Sequence, residues 1–384
     1  MTNSTPVRRP VHARPAWVEV DLEALASNLR RIRSDLPARV RVMQVVKDEA
    51  YGAGSVTVAR LAVANGVDSF ATFTVGEAER LREGGVAAPI LLLGERTPEE
   101  FEWLVRHRLE VCVGSIDIAR ALNAFAERSG TPIPIHLKVN SGMNRFGLPW
   151  RTVSEWAPVL SGMRHLEIAG ALTHFAQSDE LDKTFARLQL SRFEDTVAVL
   201  RNHGVDPACL HTCNSGGCLD LPEAHHDMVR IGILPLGVYP SSVCRRLEGL
   251  RPVMSVRARI TGLQWLEPGD TVGYGMRYRA ESPRRIAVLP LGYGDGFPRV
   301  RNEGFALVQG RRVPIVGGVS MDAVTVDVTE LPEVRLGEEA VLMGRQGSEE
   351  ITAHDVAALK RSVSYDILTG WRSRLPRVYR GGAA

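Results

Sequence analysis

VRVMQVVKDEAYGAG, residues 40–54, is the stretch that separates two possible folds. The apolar run from Val40 to Val46 reads as a buried strand, and Lys47 closes it. A doubly wound open sheet normally follows its first strand with G-x-G-x-x-G; DEAYGAG does not supply that loop. The same kind of short apolar run then recurs: SFATFT (69–74), PILLLGE (89–95), EVCVGS (110–115), PIHLKVNSG (134–142), IAGALTHF (168–175), ACLHTCNS (208–215) and MVRIGI (228–233). Helical stretches such as TVARLAVANGV and VGEAERLREGGV separate them. Upstream, Asp21 is an N-cap candidate for a helix whose Leu22, Leu25, Leu29 and Ile32 fall at helical spacing. Eight strands, each followed by a helix or a turn into one, predict an α/β fold that begins with an N-terminal (β/α)8 TIM-type barrel.

From about Leu250 the texture changes. SVRARITGLQWL, RRIAVLPLGYG, RRVPIVGGVS, AVTVDVT and AVLMG are β-rich runs divided by Gly, Pro and Asp turns, with one helical piece near 353–361. They predict a C-terminal mostly-β domain. The expected division is a flexible Pro/Arg-rich arm over 1–15, a barrel over 16–245 and the β domain over 246–384. A length of 384 residues agrees with two domains. A net charge of +3 gives no case for nucleic-acid binding. No apolar stretch approaches the ~18 residues of a membrane span, and no signal peptide is recognisable. The expected location is cytoplasmic, and the five cysteines read as reduced thiols.

In such barrels chemistry gathers at the C-terminal ends of the strands. There the sequence places Lys47, Lys138, Arg145, His174, His211, Asn214, Ser215 and Arg230. One polar residue at a strand end is ordinary; apolar strands that end repeatedly in polar groups suggest a site. CLHTCNSGGC has the look of a metal cluster, but it lacks the C-x2-C knuckle and any second half, so no metal is expected. GYGDG (292–296) is followed by Phe297-Pro298 where a helix should begin, and reads as a turn carrying a tyrosine. NSGG (214–217) and RIGI (230–233) follow strands seven and eight, where barrels often bind phosphate. Ser215 offers a hydroxyl, and Gly216, Gly217 and Gly232 let backbone N–H groups approach an anion. The same glycines could equally do no more than end strands. A lysine able to bond an aldehyde, opposite a phosphate cradle, suggests pyridoxal 5'-phosphate.

The motifs also resemble a known family. VVKDEAYGAG resembles the cofactor-lysine signature of alanine racemases. The likeness continues through LKVNSGMNRFG, LTHFAQSDE, HTCNSGG, MVRIGI, VGYGMRY, LGYGDGFPR, VSMD, SVSYDILT and LPRVY, in the family's order and over nearly the whole chain. The resemblance implies a pyridoxal-phosphate racemase interconverting L- and D-alanine, a head-to-tail homodimer with composite sites, and a supply of D-alanine for cell-wall synthesis. It implies that Lys47 bonds the cofactor and moves a proton on one face of the small amino-acid substrate. Tyr274, from the partner subunit, would serve the opposite face, as racemisation demands. His174 would hydrogen-bond that tyrosine. Arg230 would face the pyridine nitrogen, with His211 behind it. Tyr51, Ser215, Gly232, Ile233 and Tyr365 would bind the phosphate, with Asn214 beside them. Arg145 and the backbone at Met321 of a second subunit would hold the substrate carboxylate. Lys138 matches a lysine that is carbamylated in many members and orients that arginine, and Tyr293 would line the access path.

A guanidinium at the pyridine nitrogen is a poor acid, so the nitrogen should stay unprotonated, which favours quick reprotonation over side reactions. Three positions depart from the family's pattern. Ala53 stands where histidine is common, Gly318 where arginine is common, and Ala323 where a larger polar residue is frequent. The last two flank Met321 and leave room for a different small substrate, such as serine. A related decarboxylase would carry an acidic residue in place of Arg230 and a cysteine in the β domain, but the last cysteine is Cys244. A non-catalytic cofactor-binding barrel would lack the β domain.

Overall fold

The computed structural model describes residues 14–381. They form two units, Leu22–Arg251 and a second that joins the residues up to Asp21 with those from Pro252 onward.

The first unit is the barrel. Its eight strands are Arg41–Val45, Ser69–Thr72, Ile90–Leu92, Glu110–Val113, Ile133–Asn140, Leu166–Leu172, Leu210–His211 and Met228–Ile231. All seven ladders between them are parallel, and the eighth strand pairs with the first, Arg230 opposite Met43. Strands seven and eight share no regular ladder; the Asp227 N–H to Leu210 carbonyl (3.1 Å) and the Arg230 N–H to Cys213 carbonyl (2.9 Å) bridge them. Every expected strand is present. The reason is burial on both faces, which demands near-continuous apolar runs: Val42, Met43, Val45 and Val46 are all buried. Short helices return the chain between strands, and several are well capped. In Val75–Glu83, Thr74 and Glu77 form a capping box. The helix Leu22–Asp35 buries Leu25, Leu29 and Ile32 as its spacing predicts. Its buried Asn28 donates to the carbonyls of Pro235 (3.0 Å) and Arg251 (2.7 Å), which ties it beside the chain leaving the eighth strand.

The second unit corrects the expected boundary. The sequence reading puts residues 16–21 in the barrel, yet the strand Ala16–Asp21 lies inside the β unit. It pairs antiparallel with Met254–Arg259 and parallel with Arg377–Arg380. AWVEVD has the alternation of a strand, but a strand's partner more than 200 positions away leaves no local mark. The sheet continues through Glu339–Gln346, Phe305–Val308 and Arg311–Pro314. A separate three-stranded sheet joins Gly262–Leu266, Arg284–Leu289 and Val324–Asp327. The helical piece near 353–361 is Ala353–Lys360, and SVSYDILT supplies a second helix, Ser364–Gly370, that the sequence reading does not assign. The expected arm at 1–15 falls, except for its last two residues, outside the described residues.

Candidate active site

The chain contains only four lysines. Lys183 and Lys360 are in ion pairs with Asp220 (2.9 Å) and Asp366 (2.8 Å). The other two, Lys47 and Lys138, stand at the C-terminal ends of barrel strands one and five. Both amines titrate below the ordinary lysine range. For Lys47 the main cause is burial, followed by the Arg145 charge, with Glu77 and Asp48 opposing. For Lys138 it is again burial, with Cys112 opposing and the charges of Arg230, Arg145 and Lys47 adding. A lysine made less basic by desolvation holds more free amine, and so is more reactive, near neutral pH.

The turn after Lys47 has an unusual hand. Asp48, Glu49, Ala50 and Tyr51 have φ of 51°, 53°, 52° and 55°, a full left-handed turn built from residues with side chains. Such a conformation costs roughly 1–2 kcal/mol per residue. It persists because its surroundings hold it. The Asp48 N–H donates to Glu77 (2.6 Å), the Ala50 N–H to the Val46 carbonyl (2.9 Å), and the Gly54 N–H to the Glu49 carbonyl (2.7 Å). The turn buries Tyr51.

The Tyr51 hydroxyl sits against Gly232: a Cβ there would lie 2.3 Å from it, so only glycine allows the approach. The Gly232 N–H donates to Ser215 Oγ (3.2 Å), which gathers Tyr51, Ser215 and Gly232 at one place, with Ile233 buried behind. Burial pushes the Tyr51 phenol upward, so it remains a donor. Asn214 does different visible work, since its side chain accepts from the Gly217 N–H (3.0 Å) and from Ser178 (2.8 Å) and caps the helix Ser215–Asp220.

Arg230 is buried on the eighth strand. It donates to the carbonyls of His211 (2.6 Å), Thr173 (2.7 Å) and Thr212 (3.1 Å), and to His211 Nδ1 (3.1 Å). Among the described residues no carboxylate is in salt-bridge reach of it. Burial brings its pKa down to about 10, still charged at neutral pH. His174 Nδ1 lies 3.5 Å from the guanidinium. Burial first, then the Arg230 charge, holds both His174 and His211 well below the usual imidazole range. Sequence reading misses His136 and Glu110, which continue this set: His136 bonds His211 (2.8 Å) and Glu110 (2.9 Å). The available signal is position, because His136 lies two residues before Lys138 on the same strand face. Arg145 is exposed, in a shallow hollow with Glu95, Asn140 and Phe146. Its guanidinium and the Lys138 amine lie over the Phe146 ring, 5.7 and 5.2 Å from the centroid. Cys209, Cys213 and Cys218 are buried free thiols whose pKa values burial raises.

The β unit carries a second group. Tyr274, Tyr293, Arg299, Arg301, Gly318, Met321 and Asp322 line a cavity of about 480 Å³. Tyr274 is 83% exposed and Met321 51%. Two loops are stitched together here. The Tyr293 N–H donates to the Ser320 carbonyl (3.0 Å) and the Gly294 N–H to the Met321 carbonyl (2.9 Å), while among the described residues no bond engages the Met321 N–H. Beneath them the buried Asp295 pairs with Arg14, whose guanidinium also donates to the Pro290 carbonyl (2.8 Å). Burial alone would raise the Asp295 carboxyl; Arg14 and the Gly292 N–H outweigh it and hold it low. Arg374 joins Asp295 to Asp322. Ala323 closes the Ser320 turn (3.0 Å), and at Gly318 an added Cβ would meet only Arg301 at 3.6 Å and the Tyr274 carbonyl at 4.0 Å, so this position has room. Tyr365 lies in the same unit, on the helix Ser364–Gly370.

A (β/α)8 barrel with a less basic lysine at a strand end and a β domain presenting an exposed tyrosine define a two-domain barrel protein with the features of an enzyme. Residues 20–240 match the family described as alanine racemase, N-terminal domain, and residues 253–379 match alanine racemase, C-terminal domain. An alanine racemase of Symbiobacterium thermophilum is 41% identical over 97% of this chain and 98% of the relative. The solved alanine racemase of a D-cycloserine-producing Streptomyces lavendulae superposes with a TM-score of 0.91 at 34% identity, covering 98% of this chain and 99% of that one. That of Bacillus anthracis, solved with bound L-Ala-P, gives 0.91 at 32% identity, covering 97% and 96%. The chain belongs to the alanine racemase family.

Proposed function

We propose that the chain racemises alanine, converting L- to D-alanine and back, with pyridoxal 5'-phosphate held by the barrel. The observation that carries this is the pairing, in one unit, of a desolvated Lys47 with the Tyr51–Ser215–Gly232 cluster. The residues fit that cofactor. Gly232 lets the Tyr51 hydroxyl close on Ser215, the phenol and hydroxyl offer donors to a phosphate, and Arg230 offers a charged donor to a ring nitrogen. When bound, the cofactor withdraws the electron pair of the Cα–H bond and so makes that proton labile.

The chain's own residues do the rest. The Lys47 amine takes or gives the proton on one face of Cα, a task its lowered pKa suits. The Tyr274 hydroxyl of a second copy serves the other face, which supports a homodimer with composite sites: this tyrosine is exposed, and it shares a cavity with Met321 and Tyr293. The Met321 N–H of the second copy and the Arg145 guanidinium hold the substrate carboxylate. Lys138, low in pKa and near Arg145 in its hollow, is suited to carbamylation and to steadying that arginine. Arg230 keeps its proton and donates to the ring nitrogen without protonating it. A cytoplasmic location is part of the reading, supported by five free cysteines, and no described helix is long and apolar enough to cross a membrane.

The test is α-proton exchange in heavy water with L-alanine, L-serine and longer amino acids. Fastest exchange and racemisation of alanine is expected. Absence of exchange with every amino acid overturns the reading; serine exchanging fastest would move the substrate and keep the mechanism.

A further inference from the structure

Arg230, His211, His136 and Glu110 form one unbroken run of hydrogen bonds across the barrel interior. His211 and His136 are buried, and Glu110 opens the fourth strand at its N-terminal end, the end away from Lys138. Gly170 makes the run possible: a Cβ there would lie 2.5 Å from His136 Nδ1, where the imidazole now passes. The two rings stand nearly perpendicular, 82° apart, with centroids at 4.9 Å.

The chemistry of the groups allows only one arrangement of protons. A guanidinium has donors and no acceptor, so His211 Nδ1, 3.1 Å away, must be the bare nitrogen. Beside that charge and away from water, His211 is neutral, so its proton is on Nε2 and points at His136 Nδ1. His136 Nδ1 then accepts, and its proton is on Nε2, donated to the Glu110 carboxylate. Every N–H in the run points from Arg230 towards Glu110. Reversing His211 sets donor against donor at the guanidinium, and reversing His136 alone sets donor against donor at His211.

We propose that Glu110 and His136 are positioning residues for this site: their hydrogen bonds lock His211 into the one tautomer that can accept from Arg230, and so keep the guanidinium aimed. The proposal rests on the proposed service of Arg230 to the cofactor ring, and it names two residues that touch neither cofactor nor substrate. Partners behind metal-ligating histidines are typically worth roughly 10- to 100-fold in affinity or activity, and an effect of that order is expected here.

The experiment combines ring-¹⁵N NMR of histidine-labelled holoenzyme with the visible spectrum of the bound cofactor and steady-state kinetics. In the wild-type enzyme His211 should carry its proton on Nε2 alone. His136→Leu and Glu110→Ala should erase that signature, shift the cofactor band and lower kcat roughly tenfold or more, with KM for alanine changed less than about threefold. Glu110→Gln keeps an acceptor oxygen and should restore all three readouts. A wild-type His211 protonated on Nδ1, or on both nitrogens, overturns the proposal without any variant. So does a folded His136→Leu enzyme with unchanged tautomer, spectrum and kcat. Failure of the underlying reading looks different: the wild-type protein would then show no cofactor band and no alanine exchange, while the tautomer run would still be read in the same NMR spectrum.

Discussion

The barrel group and the β-unit group are built on opposite principles. In the barrel, His211, Arg230, Ser215 and Tyr51 are buried, hydrogen-bonded and shifted or braced by their neighbours. In the β unit, Tyr274 and Met321 are turned outward, and the bracing lies behind them, in the stitched loops and the Asp295 pairs. Burial tunes a group by removing water, whereas exposure leaves a group ordinary until something covers it. The exposed Tyr274 is the group that, in the proposed composite site, a second copy would have to cover.

The sharpest way to break this contrast is at Lys47. Lys47→Ala should abolish racemisation, by more than about 10³-fold, together with the covalent absorption band of the cofactor. Retained turnover would show that the buried group is not the reactive one. Tyr274→Phe should cost roughly 10²- to 10⁴-fold in kcat and leave the cofactor band in place. Mixing the two inactive variants through unfolding and refolding tests the covering surface itself. If Tyr274 acts across a two-fold assembly, roughly a quarter of the sites regain both groups and activity returns; if it acts within its own chain, none does.

Gly232→Ala sharpens the barrel side. The new methyl must push the Tyr51 hydroxyl away, and overpacking of this kind typically costs about 1–3 kcal/mol, so cofactor affinity should fall about tenfold in a fluorescence titration. Exchange of the cofactor-loaded enzyme with ¹³C-bicarbonate should give a carbamate signal that Lys138→Arg removes. The smallest effect is in stability. His211 is neutral and buried when folded, but in the unfolded chain it takes a proton below about pH 6.5. Its folded-state pKa is depressed, so stability is complete above about pH 6.5 and is lost as pH falls, by up to about 1.4 kcal/mol per unit for this group. Urea unfolding at about pH 7.5 and 5.5 should show the loss, and His211→Asn should flatten it.

Much of this is legible in the chain. The eight barrel runs can be read because two-sided burial writes an apolar signature into each strand. Lys47, Arg230 and the NSGG and RIGI glycines can be placed because strand ends are marked by where those runs stop. The strand Ala16–Asp21 is misplaced by sequence reading because its pattern names a strand and says nothing of its partners. His136 escapes because a histidine within an apolar strand looks the same whether it is idle or bonded on both sides. The left-handed turn after Lys47 escapes because Asp, Glu, Ala and Tyr do not advertise positive φ, which long-range bonds such as Asp48 to Glu77 impose.

Sequence alone therefore determined the barrel strands, their order and the polar side chains at their ends, since those follow from local periodicity. Tertiary structure decided how those groups are tuned. Only packing removes water from Lys47 and Lys138, brings Tyr51 against Gly232, and lines up Arg230, His211, His136 and Glu110. Desolvation and hydrogen-bond direction belong to neighbours in space. VRVMQVVK names its amine, but the rest of the barrel sets what that amine can do.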